Sequence, residues 1–214
     1  MARQRCAGAD AVVLAPPYYF PMHQTDLRHY CTAMAREVPL PVFLYNMPSH
    51  CKVSFELETV KHLIDEPNIV GFKDSSAQML FFNQLIQLGR SRSDFSVLMG
   101  PEELMAEGVL MGGQGGVCGG ANLMPRLYVD MYEAAVTGDL RQVSVLQQRI
   151  LRLSSRIYTV GISPSGYLTG LKAAMSLLGL CDARLSEPLS PLPAERLAIL
   201  ERHLRDLELE IVKA

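Results

Sequence analysis

No apolar run in this 214-residue sequence is long enough to span a bilayer. Its first residues, Met-Ala-Arg-Gln-Arg-Cys-Ala-Gly, are basic with no apolar segment behind them, so a secretory signal is not expected. Neither sign of charge is in surplus. The 20 basic and 22 acidic residues leave a net charge of −2, which gives no electrostatic reason to bind nucleic acid or an anionic membrane. The five cysteines (Cys6, Cys31, Cys51, Cys118, Cys181) are odd in number, scattered and free of any CxxC pair, so a reduced, cytoplasmic protein is expected. HExxH and Cys/His ligand spacings are missing, and no metal site is expected. No GxSxG motif accompanies Ser163, Ser165 or the serines after Asp74, which argues against a serine hydrolase. The glycines from Gly112 to Gly120 flank a short strand, with no acidic residue at a ribose-binding distance. Close approach of the backbone explains them better than a dinucleotide or phosphate site.

What is present is an ordinary globular balance, 49% hydrophobic and 20% charged, at a length suited to one domain. The pattern predicts strands at 11–15, 42–45, 69–73, 95–99 and 116–119. Helices are predicted between them, at about 25–37, from a cap at Ser54, at 78–88 and from Glu102. Strands alternating with helices over short connections imply a parallel sheet with right-handed crossovers. Beyond Pro125 the pattern is helical. Leu140, Val143, Leu146, Ile150, Leu153 and Ile157 repeat at helical spacing, as do Leu197, Leu200, Leu204, Leu207 and Ile211, and both stripes read as core or subunit packing. The expected organisation is residues 1–124 as a βα region and 125–214 as a helical one.

Lys73 is the residue with most to say about chemistry. It closes the apolar run Ile69-Val70-Gly71-Phe72 and is followed by Asp74-Ser75-Ser76. Such a strand delivers an amine to the end of a sheet, where an unprotonated lysine can attack a carbonyl. Alternation places Lys73 on one face with Gly71 and Ile69, and Tyr45 on one face with Phe43. If the two strands are neighbours, amine and phenol share the carboxyl ends of a parallel sheet, where α/β barrels do their chemistry. A phenol there can shuttle protons during carbinolamine formation and carbon–carbon cleavage.

The strings Tyr45-Asn46-Met47-Pro48 and Gly71-Phe72-Lys73-Asp74-Ser75 resemble the dihydrodipicolinate synthase / N-acetylneuraminate lyase superfamily. Gly8-Ala9-Asp10 leading to Pro17-Tyr18-Tyr19 is similar too, as are Gly115-Gly116-Val117, Ala121-Asn122 and Lys172-Ala173-Ala174. The resemblance covers nearly the whole chain. It implies a (β/α)8-barrel fold, here about five parallel strands corresponding to strands four to eight, followed by a helical extension. It further implies a cofactor-free Schiff-base lyase, with Lys73 binding a pyruvate-type 2-keto acid and Tyr45 as proton shuttle, in a homodimer or homotetramer. Tyr18 and Tyr19 would complete the site, in some family members across a subunit contact, or serve as loop aromatics packing a dimer. Gly119 would lie at the mouth of the site.

Family members carry three strands ahead of the Gly-Ala-Asp lead, and a Gly-Thr-Thr-Gly-Glu type loop that holds the pyruvate carboxylate. Neither is found in this sequence. Five strands do not close an eight-stranded barrel, so a fragment, a shortened product or completion by another chain is expected. Where the synthases have an arginine after Tyr-Asn-x-Pro-Ser, this chain has His50, a poorer fork for a second carboxylate. Glu102 and Glu103 stand where sugar-acid lyases hold substrate hydroxyls, although acids there also suit a helix N-terminus. The expected reaction is cleavage of a 2-keto-3-deoxy sugar acid to pyruvate and an aldehyde. A synthase-type condensation, a 2-keto acid dehydratase and a catalytically silent paralogue that binds a full-length relative remain as alternatives.

Overall fold

A computed structural model describes residues 8–163 and 165–207, so Cys6 and Ile211 lie outside the described residues. The chain divides after Val117 into two compact units. The first runs β1 (Val12–Leu14), α1 (Gln24–Glu37), β2 (Val42–Asn46), α2 (Pro48–Cys51), α3 (Leu57–Leu63), β3 (Ile69–Asp74), α4 (Met79–Gly89) and β4 (Ser96–Met99). A 3-10 turn, Glu102–Leu104, then leads into α5 (Met105–Leu110) and β5 (Gly115–Gly116). The five strands form one parallel sheet in sequence order, β1-β2-β3-β4-β5.

Alternation gives that sheet two unlike faces. Val42 and Leu44 of β2, Phe72 of β3, and Val97 and Met99 of β4 are buried in one apolar cluster with Leu27, Val60, Leu63, Phe82 and Leu85 from the helices. Phe55 and Phe81 meet the Phe72 ring edge-on, at centroid separations of 5.3 and 6.0 Å. Phe43, Tyr45, Gly71, Lys73, Ser96 and Leu98 share the opposite face by register. Ile69 does not join them as its spacing from Lys73 suggests. A register shift between Val42 and Phe43 pairs Ile69 with Val42, leaving Ile69 wholly buried in the helix-side core. Gly71 is required where it stands, because a Cβ would overlap the Phe43 ring and come within 2.6 Å of the Ser96 carbonyl oxygen.

Several expected boundaries move for identifiable reasons. Ser54 does not cap α3. The cap position is Glu56, whose N–H donates to Gln24 Oε1 at 3.1 Å, and the same oxygen accepts from Thr59 Oγ1 at 2.7 Å. A side chain of α1 therefore satisfies the start of α3. The fifth strand is only Gly115–Gly116, and Gly119 opens a 3-10 turn, Gly119–Asn122, because a glycine run has no side chains to hold it in a ladder.

At the amino ends of the strands, two side chains tie the connections together. Asn68 Nδ2 lies 2.7, 2.9 and 2.9 Å from the carbonyl oxygens of Ala35, Val38 and Leu40. Arg92 Nη1 donates to those of Ile64, Glu66 and Ile69 at 2.6, 3.1 and 3.0 Å.

The second unit is helical: α6 (Pro125–Thr137), α7 (Leu140–Ile157), α8 (Gly166–Leu177) and α9 (Ala194–Asp206). Val143, Leu146, Ile150, Leu153 and Ile157 of α7 are buried together with Leu200 and Leu204 of α9, while Leu140 is exposed at the helix start. Asp139 caps α7 by accepting from the Gln142 N–H at 3.0 Å. No helix among the described residues is long and apolar enough to cross a membrane.

Candidate functional site

Tyr45 and Lys73 are direct register partners at the carboxyl ends of β2 and β3. Lys73 Nζ lies 4.1 Å from the centroid of the Tyr45 ring, a cation–π distance. Both residues are half-buried. Among the described residues the Lys73 ammonium has no carboxylate partner and no hydrogen-bond acceptor. A lysine so placed is half-buried and lies over a ring, with no ion pair to hold it elsewhere. The phenol oxygen has its own neighbour, Ser75 Oγ at 3.4 Å.

The next pair along the same two strands faces the other way. Asn46 and Asp74 are register partners, both buried, and Asn46 Nδ2 donates to Asp74 Oδ1 at 2.8 Å. Asp74 also accepts from the Ser76 N–H at 3.1 Å and from Ser76 Oγ at 2.9 Å, while Asn46 Oδ1 accepts from the Phe55 N–H at 3.2 Å. Burial pushes the Asp74 carboxyl above its ordinary value, with the bonds from Asn46 and Ser76 pulling the other way. The network fixes the turn beyond Lys73 and binds it to the end of β2. Asn46, Asp74 and Ser75 stand within the sequence motifs with no role assigned to them there. The signal was available in the alternation: if Tyr45 faces Lys73, the residues after each must face one another on the opposite side.

The other expected residues of the first unit follow the carboxyl ends of its strands. His50 lies in α2, directly beyond β2, exposed, with Ser49 Oγ 2.9 Å from its Nδ1. Glu102 and Glu103 form the turn after β4, the strand paired with β3. Glu102 is only 4% exposed, and Glu103 is half-buried. Tyr18 and Tyr19 follow the carboxyl end of β1 and are 68% and 76% exposed, with the Tyr19 ring edge-on to Phe20 at 4.8 Å. Gly119 belongs to the second unit, where its carbonyl accepts from Asn122 Nδ2 at 3.0 Å. Among the described residues no group of three or more His, Cys, Asp or Glu side chains is arranged to hold a metal.

The chain is 35% identical over 194 residues to the 4-hydroxy-tetrahydrodipicolinate synthase of Thermomicrobium roseum, covering 90% of this chain and 62% of that protein. It thus spans less than two thirds of that relative's length. Dihydrodipicolinate synthase from Bacteroides thetaiotaomicron superposes with a TM-score of 0.88 at 45% identity, over 93% of this chain and 67% of that one. YagE of E. coli K12, a prophage protein of the dihydrodipicolinic acid synthase family solved with pyruvate, superposes with a TM-score of 0.86 at 29% identity, over 95% of this chain and 68% of that one. The fold is accordingly that of the barrel family whose parallel strands it shares. Matching the family's model over residues 1–207, the chain belongs to the dihydrodipicolinate synthetase family.

Proposed function

We propose that this chain carries the Schiff-base centre of a pyruvate-handling lyase. Neutral Lys73 adds to the keto carbon of pyruvate or a longer 2-keto acid, giving a carbinolamine. Tyr45 then protonates the departing hydroxyl, which leaves as water while the nitrogen lone pair closes the C=N bond. In the cleavage direction the phenolate takes the proton of the C4 hydroxyl, the C3–C4 bond breaks, and its electrons pass into the iminium to give an enamine. Protonation at C3 and hydrolysis release pyruvate. The observation that carries this reading is the amine lying 4.1 Å from the phenol's ring, at matched positions on neighbouring strands.

A 2-keto-3-deoxy sugar acid is the favoured substrate class. Half-buried Glu103, in the turn after β4, and exposed His50, in the helix after β2, carry groups suited to hydroxyl recognition, whereas the burial of Glu102 limits it to a supporting part. Condensation of pyruvate in the synthase direction is the second reading, supported by the name of the Thermomicrobium relative. Tyr18 and Tyr19, exposed beyond β1, are suited to a contact between copies in a homo-oligomer, and Gly119 remains a proposed contributor to the mouth of the site. Borohydride reduction with pyruvate tests the centre. A reduced adduct on the peptide containing Lys73 is expected, and an unmodified peptide at saturating pyruvate would leave the silent-paralogue reading in its place. Pyruvate release from 2-keto-3-deoxy acids, measured beside pyruvate consumption in the synthase assay, separates the two substrate readings.

A further inference from the structure

We infer that Ser75 is a positioning residue whose hydroxyl holds the Tyr45 phenol for proton transfer, and that Gly100 exists to make room for it. The inference rests on the Schiff-base reading above and extends it to a residue outside the lysine–tyrosine pair. Lys73 and Ser75 are two residues apart, and each meets Tyr45: Nζ lies 4.1 Å from the ring centroid, and Ser75 Oγ lies 3.4 Å from the phenol oxygen. That second separation is long for a hydroxyl pair, and a small rotation of either side chain closes it.

Everything around Ser75 fixes where its hydroxyl points. Its N–H donates to the Asn46 carbonyl at 2.8 Å, continuing the β2–β3 ladder one residue past the strand. The residue behind it, Ser76, is pinned through both its N–H and its Oγ by the Asp74 carboxylate. On the other side the Gly100 N–H donates to the Asp74 carbonyl at 2.7 Å, which brings the backbone beyond β4 against the serine. A Cβ on Gly100 would overlap Ser75 Oγ and stand 2.9 Å from Ser75 Cβ and 2.8 Å from the Asp74 carbonyl oxygen. Any residue but glycine at 100 must displace the hydroxyl from Tyr45 or break the ladder.

The chemistry gives that contact a purpose. When Tyr45 yields its proton to the carbinolamine hydroxyl, water leaves, the C=N bond forms and a phenolate remains. A hydroxyl donating to that oxygen stabilises the charge where it develops and keeps it aligned with the lysine nitrogen. Ser75 neither gains nor loses a proton overall. It acts through Tyr45.

The test measures the rate of borohydride-trapped adduct formation against pyruvate concentration. Ser75→Ala is expected to slow trapping about tenfold, the worth of one net hydrogen bond, with half-saturating pyruvate and melting temperature unchanged. Ser75→Thr retains the hydroxyl and is expected to recover most of the rate. Gly100→Ala should resemble Ser75→Ala, and should add little in the Ser75→Ala background, where no hydroxyl is left to displace. Wild-type trapping in Ser75→Ala overturns the assignment. If the wild-type protein itself forms no adduct, the Schiff-base reading fails instead. The contact is then read from the 13Cζ resonance of Tyr45, assigned with Tyr45→Phe. That signal is expected to move in Ser75→Ala and to stay near its wild-type position in Ser75→Thr, and an unmoved signal sinks the inference.

Discussion

The two ends of the parallel sheet are built from the same kinds of residue and put to opposite uses. At the amino ends, Asn68 Nδ2 and Arg92 Nη1 each lie within 3.1 Å of three backbone carbonyls, and the rest of the Arg92 guanidinium pairs with Asp94, so both side chains are engaged within the chain. At the carboxyl ends, Lys73 has no charged partner among the described residues, and the phenol of Tyr45 meets a serine hydroxyl at 3.4 Å. A satisfied polar side chain holds chain segments together, and an unsatisfied one is free to meet substrate. Between these extremes stand Asn46 and Asp74, at the carboxyl end by position yet fully engaged, facing the helix-side core while Tyr45 and Lys73 lie on the other face of the sheet.

Substitutions at the two ends should therefore separate stability from chemistry. The largest expected effect is Lys73→Arg. A guanidinium can still lie over the Tyr45 ring, so the melting temperature should barely change. It stays protonated and cannot add to a carbonyl, so no reduced adduct should form. An adduct formed by Lys73→Arg at the wild-type rate would dismiss the Schiff-base centre. Tyr45→Phe comes next. The ring that holds the lysine survives, the hydroxyl is lost, and trapping should slow by about 10²-fold or more. Arg92→Ala tests the other end. It strands carbonyls of Ile64, Glu66 and Ile69 and should cost about 2–3 kcal/mol in denaturant unfolding, with the trapping rate per folded molecule unchanged. Should Arg92→Ala slow trapping as much as Tyr45→Phe does, the division between the two ends is wrong.

Much of the carboxyl end was legible in the sequence, because strand alternation and the order of elements suffice to bring Tyr45 beside Lys73. The amino end was not. Asn68 reaches carbonyls 28 to 33 residues away, and Arg92 those 23 to 28 residues away, contacts that no local pattern encodes. The cap of α3 escaped for the same reason, since Ser54 is a good local candidate and Gln24 wins only once α1 lies alongside. Ile69 was placed on the wrong face because one extra residue in β3 breaks the period of two. Gly100 carried no readable signal, since its need for a bare backbone arises from a serine just beyond the neighbouring strand.

The smallest expected effect concerns Asp74, the residue that belongs to neither class. Burial raises its carboxyl pKa in the folded chain, so the folded state holds the proton more tightly than the unfolded one. By linkage, Asp74's contribution to stability is full at pH below its ordinary value and is lost as pH rises through the raised one. Near neutrality the wild-type protein thus carries the cost of a buried charge that Asp74→Asn removes. The asparagine can still accept from Asn46 with its oxygen and donate to Ser76 Oγ with its amide. The stability of Asp74→Asn relative to wild type should accordingly improve between about pH 3 and about pH 7, when both proteins are unfolded with urea. A gap that stays constant across that range, or widens against the asparagine, would mean that the three bonds to Asp74 outweigh its burial. The carboxylate would then count with Asn68 and Arg92 as a tie whose charge is part of its grip.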